Sequence, residues 1–160
     1  EDLIAYGQST ITVGSGASSN RVWNSFTTNA SWTRISDERY KKDIQNHTDL
    51  GLAFINDLRP VTFKFKLMSE IDSSLPDYDE TDSLGVPIPL DRMYGLIAQE
   101  VKEVLDDHNI TDFGGHTTTE NEVELQGISQ EMFIHPLIKA VQELSAKNEA
   151  LEARIATLEG

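Results

Sequence analysis

The C-terminal spacing of apolar residues constrains the fold of this chain more than any other feature. From residue 141 onward, gaps of three and four residues alternate along one set of positions. These positions are Val141, Leu144, Asn148, Leu151, Ile155 and Leu158. A seam of this period is the heptad repeat of a coiled coil, in which helices associate through their a and d positions. The sequence therefore predicts that residues 137–160 form a helix that associates with copies of itself.

The residue types along this seam bear on the number of helices. Val141, Asn148 and Ile155 occupy a positions, and leucines occupy the d positions. Branched residues at a with leucine at d favour two parallel helices, and a buried asparagine at a fixes register at some cost in stability. The packing rule alone thus favours a parallel dimer.

Composition limits what the rest of the chain can be. With 160 residues, 38% of them hydrophobic, the chain can bury one modest core, which excludes a large multidomain enzyme. A net charge of −14 argues against a nucleic-acid or anionic-membrane surface, since either would require clustered basic residues. No apolar run approaches the roughly 20 residues that cross a bilayer. We expect no nucleic-acid partner, no membrane partner, no disulfide and no cysteine-rich zinc site.

The first 35 residues differ in character from the remainder. Residues 8–13 and 21–27 alternate polar with apolar or β-branched side chains, and residues 14–18 resemble a turn. Short strands of this kind bury little alone. We interpret residues 1–35 as the end of a β-rich fibre that other chains or further sequence complete, with Trp23 and Trp32 in the fibre core.

The middle of the chain alternates helical and extended patterns. Residues 49–58 have helical apolar spacing that Pro60 ends, and residues 61–67 alternate as a strand with Phe63 and Phe65 facing the core. Residues 93–105 predict a second amphipathic helix. A short strand is predicted at 122–125, and Ile128 is predicted to open the final helical stretch. The fold class is therefore α+β, with a small mixed globular domain over residues 36–136.

An acidic segment interrupts this domain. Six acidic residues lie between positions 70 and 82, and Pro76, Pro87 and Pro89 break any regular pattern, which indicates a solvated loop. Asp77, Asp79 and Asp82 lack the glycine and terminal glutamate of an EF-hand. We expect no metal site and no cofactor.

The hexapeptide Ser36-Asp37-Glu38-Arg39-Tyr40-Lys41 lies where the sequence changes character. Alone, a Ser-Asp pair before basic residues is typical of a loop or a helix N-cap. Three further blocks follow it in order, at residues 54–65, 94–101 and 137–144. Together the four blocks resemble the C-terminal intramolecular chaperone domains of bacteriophage tailspikes, tail fibres and endosialidases, the self-cleaving peptidase S74 family. Tyr40 departs from this pattern, where leucine is expected.

The resemblance implies a chemistry and an assembly. The chain would be cut once, between Ile35 and Ser36, with Ser36 as nucleophile and Lys41 as base, so the protein would be a single-turnover serine endopeptidase. It also implies a homotrimer with a parallel trimeric coiled coil, which overrides the dimer that the packing rule favours. The domain would direct folding of the upstream segment in the infected host's cytoplasm, and the matured segment would enter the virion tail.

Geometry restricts how Ser36 and Lys41 could meet. A separation of five residues rotates side chains by about 140° on a helix and puts them on opposite faces of a strand. A turn, or a second chain, must therefore bring them together. Attack within one chain and attack between chains both stay open, and Asp37 and Arg39 either act chemically or shape the turn.

Three other functions compete with self-cleavage. In the first, the chain is a non-catalytic trimerisation module in which Ser36 is a cap and Lys41 a surface charge. The second is the self-cleaving region of a membrane-anchored transcription factor, which shares the domain family. The third is glycan hydrolysis, for which the sequence offers no convincing carboxylate pair beside aromatic platforms.

Overall fold

The described part of the chain forms two units. In a computed structural model of the protein, residues 10–14, 21–25, 31–82, 91–119 and 123–159 are described. Contacts divide the chain between residues 46 and 47, so residues 36–46 group with the first strands. The first unit covers residues 1–46 and the second covers residues 47–160.

The first unit contains a three-stranded antiparallel sheet. Strands β1 (Thr10–Gly14) and β2 (Arg21–Ser25) confirm the two predicted strands, and β2 also pairs with the short strand β3 (Thr33–Arg34). The predicted turn at residues 15–18 lies outside the described residues. Strand order β1-β2-β3 places β2 in the centre, so β2 holds the segment that precedes residue 36.

The core of the second unit is built around Phe54. Helix α1 (Leu52–Asp57) confirms the first predicted helix, and it places Phe54 in full burial. The rings of His108, Phe113 and Phe133 surround the Phe54 ring at centroid distances of 5.9, 6.1 and 6.3 Å. Leu50, Val101 and Leu105 complete the buried cluster.

Helix α2 (Ala98–Asp107) begins later than the sequence predicts. Its buried Val101 and Leu105 confirm the apolar face, but residues 93–95 are not helical. They form strand β5 (Met93–Gly95), which pairs antiparallel with β4 (Val61–Phe63). At residues 93–95 the backbone hydrogen bonds to β4 determine the structure. The helical spacing of the side chains is a local preference, which this pairing overrides.

The strand after α1 is also shorter than predicted. Strand β4 ends at Phe63. Side chains alternate between the two faces only within a strand, so the alternating sequence of residues 64–67 does not determine which of their side chains face the core. Phe65 is consequently 59% exposed, and the prediction that it faces the core is wrong. Phe63 is partly buried, and the two rings form an edge contact at 5.3 Å.

The segment before the last helix differs from the prediction in its details. The strand lies at β7 (Gln126–Ile128), where it pairs with β6 (His116–Thr118), and residue 122 of the predicted strand is outside the described residues. Ile128 thus ends a strand and does not open the helix. A 3-10 turn (Gln130–Phe133) follows and inserts Phe133 into the core before the helix starts.

Helix α3 (Ile134–Glu159) is 26 residues long and contacts the core through one face only. Pro136 and Ala140 are buried on that face, and Pro136 is tolerated because it lies in the first helical turn. One turn further, Glu143 Oε2 accepts a hydrogen bond of 2.8 Å from the backbone N–H of Leu52, at the start of α1. No helix within the described ranges is long and apolar enough to cross a membrane.

Gly51 makes room for this contact between helices. A Cβ atom at Gly51 would lie 2.5 Å from Glu143 Oε1. Gly51 has no side chain to cap α1, so Glu143 supplies the carboxylate that a capping residue would otherwise provide.

The acidic segment is a loop, as predicted, but it closes on itself. Asp82 accepts hydrogen bonds at its side chain from the Met68 N–H (3.1 Å) and at its backbone carbonyl from Ser69 Oγ (2.8 Å). Asp72 and Asp79 each bind the residue two positions on, as in Asx turns. Pro87 and Pro89 lie outside the described residues.

Phe54→Ala should lower the free energy of unfolding by about 3–5 kcal/mol, because it removes a fully buried ring and leaves a cavity. Phe65→Ala makes the same change at a ring that is 59% exposed, and it should cost far less. Urea unfolding at one fixed protein concentration measures both. Equal losses would contradict a core centred on Phe54.

Candidate functional site

A 3-10 turn brings Ser36 and Lys41 together. The turn spans Glu38–Tyr40, with backbone hydrogen bonds from Tyr40 N–H to Asp37 C=O (3.0 Å) and from Lys41 N–H to Glu38 C=O (2.9 Å). These bonds reverse the chain, and the Lys41 ammonium donates to Ser36 Oγ at 2.7 Å. A turn was one of the two arrangements that the five-residue spacing allowed, and contact within one chain is thus geometrically feasible.

Asp37 and Arg39 hold this turn together. The Asp37 Oδ1 atom accepts from both the Arg39 backbone N–H and Arg39 Nε, each at 2.9 Å, and Oδ2 accepts from the Arg39 guanidinium at 2.7 Å. The backbone bond makes Asp37 the N-cap of the turn. Their contacts therefore account for a role in shaping the turn.

The same contacts set the ionisation of the pair. The Arg39 guanidinium, and then its backbone N–H, hold the pKa of the Asp37 carboxyl below its usual value. The Asp37 carboxylate in turn raises the pKa of Arg39. Asp37 is thus ionised and bound to Arg39, and within the described part of the chain Lys41 forms no ion pair with a carboxylate.

The predicted cleavage bond joins a strand to this turn. Ile35, which is partly buried, directly follows β3, while Ser36 is exposed and precedes the Asp37 cap. On the strand side, Thr33 pairs with Trp23 and Arg34 with Val22. The peptide between Ile35 and Ser36 is therefore held on its acyl side by a sheet and on its amine side by a turn.

Two features near this bond had no clear signal in the sequence. Strand β3 has only two residues, too few for an alternating pattern. Asn24 is buried on β2, and its amide donates to the Ser31 carbonyl at 2.9 Å. An isolated asparagine in a strand gives no indication of such a contact.

Among the residues that the structure describes, the remaining polar groups do not assemble into a metal centre. In the ranges that the structure describes, no three His, Asp or Glu side chains are grouped to hold a metal ion. Arg59 forms an ion pair with Glu100, and His108 contacts Asp57 at 2.8 Å. Both pairs link α1 or the residues just after it to α2, within the second unit.

Comparison with known families identifies this region. Residues 36–110 match the model of the Peptidase_S74 family, which is described as a chaperone of endosialidase. Over these residues the chain is similar to the Peptidase_S74 family. The match starts at Ser36, the residue that accepts the hydrogen bond from Lys41, and it continues through α1 and α2 to Ile110. It confirms the family resemblance of the sequence. No curated protein matches the chain significantly.

Arg39→Ala should raise the pKa of the Asp37 carboxyl towards its usual value, because it removes the side-chain bonds that stabilise the charged form. In the wild type, the stabilisation from this pair is present above the unfolded-state pKa and is lost as the pH falls through the lowered folded-state pKa. The turn should therefore stay intact near neutral pH. Carboxyl-carbon NMR titration of Asp37 measures the midpoint, with the exposed Lys42→Ala as control. An unchanged midpoint in Arg39→Ala would show that the backbone N–H alone is responsible.

Proposed function

We propose that this chain is an intramolecular chaperone that trimerises, directs the folding of the upstream β-rich segment, and then releases itself by cutting between Ile35 and Ser36. The chaperone role is supported by the Peptidase_S74 match. The main support for self-cleavage is the hydrogen bond of 2.7 Å between Lys41 Nζ and Ser36 Oγ. A hydroxyl is a poor nucleophile unless a base takes its proton, and Lys41 is in place to do so.

The reaction begins with attack of Ser36 Oγ on the carbonyl carbon of Ile35, while the hydroxyl proton passes to the neutral Lys41 amine. The C–N bond then breaks, and the Ser36 nitrogen takes the proton from Lys41. This N-to-O acyl shift leaves the Ile35 acyl group as an ester on Ser36 Oγ. Water hydrolyses the ester, giving an Ile35 carboxylate and a second chain that begins at Ser36. The site is used once and acts on no external substrate.

Assembly supplies the control in this proposal. Ser36 and Lys41 are both exposed in the single chain. A lysine amine accepts a proton only when neutral, and removal from water favours the neutral form. We therefore propose that association of three chains covers the 36–41 turn and makes Lys41 a base.

Helix α3 offers the surface for that association. Its buried residues, Pro136 and Ala140, lie on the face towards α1. The apolar a and d side chains lie on a different face and are 45–85% exposed in the single chain. The seam continues the heptads back to the start of α3, and its exposed apolar members are Ile134, Leu137, Val141, Leu144, Leu151, Ile155 and Leu158. An apolar stripe of this length is typical of an interface, and we propose that it forms the parallel trimer.

The proposed order of events has a physical purpose. A fibre formed from three chains must establish long-range strand register, which is slow. A C-terminal trimer aligns the chains and raises their effective concentration. Cleavage afterwards removes the aligning domain, so a fibre that unfolds cannot refold. The lifetime of the fibre then depends on its rate of unfolding. In this proposal the domain acts in the cytoplasm of a phage-infected host and the upstream segment is retained in the virion tail.

A non-catalytic trimerisation module is the second candidate. The bonds between Asp37 and Arg39 favour it, because they would stabilise the turn whether or not Ser36 reacts. This alternative has the same coiled coil and differs only in that the chain stays intact.

Ser36→Ala and Lys41→Ala should each slow cleavage by about 10³-fold or more, because each removes one member of the dyad. Lys42→Ala removes the adjacent exposed lysine and should leave the rate unchanged. Intact mass of freshly purified protein over time measures the rate and the position of the cut. Full-length protein in every sample, including wild type, would favour the trimerisation module.

Mixed trimers distinguish attack within one chain from attack between chains. Each Ser36→Ala chain keeps Lys41, and each Lys41→Ala chain keeps Ser36. Since Lys41 contacts Ser36 of the same chain, trimers refolded from both variants should stay uncut. Cleavage of the Lys41→Ala chain in the mixture would contradict a dyad formed within one chain.

Leu151→Glu should dissociate the trimer, because three carboxylates would be buried together at a cost of several kcal/mol each. Ala150→Glu introduces the same side chain one position away, outside the a and d seam, and should leave the trimer intact. Sedimentation equilibrium measures both, and cleavage should be lost only in Leu151→Glu. A trimeric Leu151→Glu variant would contradict the seam as the interface.

A further inference from the structure

The central strand of the first unit fixes the segment that leads into the Ile35–Ser36 bond. Backbone pairing joins Val22 to Arg34 and Trp23 to Thr33. Three residues before Arg34, the Ser31 carbonyl accepts a hydrogen bond of 2.9 Å from the Asn24 amide. Strand β2 thus holds this segment at its start, through one side chain, and at its end, through backbone pairing.

The stability of the sheet alone does not explain why an asparagine occupies the buried position 24. Its side chain is 3% exposed, and its Oδ1 atom has no hydrogen-bond partner among the described residues. A buried polar atom without a partner costs about 1–3 kcal/mol, and an apolar side chain of similar size would avoid that cost. The useful property of Asn24 is therefore its amide N–H, which fixes the Ser31 carbonyl.

The two sides of the cleavage bond are held in different ways. On the amine side, the 36–41 turn is made by contacts that span at most five residues. On the acyl side, β3 is held only once β2, about ten residues earlier in the chain, has folded against it. A slip of one residue in β3 would reverse the faces of its side chains and displace the Ile35 carbonyl.

We propose that Asn24 is a positioning residue for self-cleavage, and that pairing of β2 with β3 is the folding event on which cleavage depends. The inference rests on the proposed function. Asn24 fixes the register of the segment 31–34, and this register presents the Ile35 carbonyl to Ser36 Oγ. Attack requires the reacting atoms to be closely aligned, so the preformed turn stays unreactive until the upstream sheet has folded.

The test compares two buried polar residues of the same sheet. Asn24→Leu removes the amide that binds Ser31 and also removes the unpaired oxygen. Thr12→Val is the matched control: Thr12 is also 3% exposed, and its Oγ1 has no partner among the described residues. It lies on β1, which pairs with β2 and not with β3.

Asn24→Leu should cleave roughly 10- to 100-fold more slowly than wild type, because small displacements of reacting groups have effects of this size. Its melting temperature should be equal to that of wild type or higher. The pH profile of its remaining cleavage should keep the wild-type midpoint, because Ser36 and Lys41 are unchanged. Thr12→Val should cleave at the wild-type rate. Intact mass over time gives the rates, and thermal unfolding of uncleavable Ser36→Ala versions gives the stabilities.

Each other outcome overturns a defined part of the inference. If wild type cuts itself and Asn24→Leu cuts equally fast, the positioning role is wrong and the proposed function stands. If Asn24→Leu slows cleavage only in proportion to a loss of folded protein, Asn24 has a structural role alone. If wild type is never cut, the proposed function is wrong and the positioning role is wrong with it.

Discussion

The packing of aromatic rings around Phe54 is the constraint on which the second unit depends. It joins α1, α2 and the 3-10 turn before α3 in one core, and so determines how α3 leaves that core. Pro136 and Ala140 face inward as a result, and Glu143 reaches the start of α1. The heptad seam is on a different face of the same helix and stays exposed. One helix can therefore belong to the globular core and still keep an apolar seam exposed, and this seam is the interface in the proposed trimer.

The candidate site combines a local element with one that depends on distant residues. The turn that joins Ser36 to Lys41 is stabilised by neighbouring residues, above all by the bonds between Asp37 and Arg39. The strand before it depends on β2, and β2 can hold it only after the chain has folded back on itself. In the proposed mechanism this dependence delays self-cleavage, because a site made of local contacts alone would be complete before the rest of the protein had folded.

Charge is distributed so that the proposed base is not trapped in an ion pair. Asp37 is next to the nucleophile in sequence, and a carboxylate bound to Lys41 would favour the charged amine. Arg39 binds that carboxylate instead, which lowers the pKa of Asp37 and leaves Lys41 directed at Ser36. In the proposed mechanism, burial of the turn in the trimer then makes the Lys41 amine neutral.

Features that depend on neighbours along the chain could be predicted from the sequence. Helical spacing predicted α1 and the apolar face of α2, alternation predicted β1 and β2, and four ordered motifs indicated the family. The wrong predictions concern residues whose structure depends on pairing with a strand that is distant in the sequence. Met93–Gly95 has helical spacing but pairs with β4, Phe65 lies beyond the last paired residue, and the strand predicted at residues 122–125 lies at Gln126–Ile128, opposite β6.

The candidate site divides in the same way. Sequence motifs identified Ser36 and Lys41, and their spacing required either a turn or a second chain. The folded structure was needed to establish that a turn joins them, that Asp37 binds Arg39, and that the Asn24 amide binds the Ser31 carbonyl. The physical reason is that spacing reports which residues can share a face of one element, whereas hydrogen bonds between elements depend on where the folded chain places their donors and acceptors.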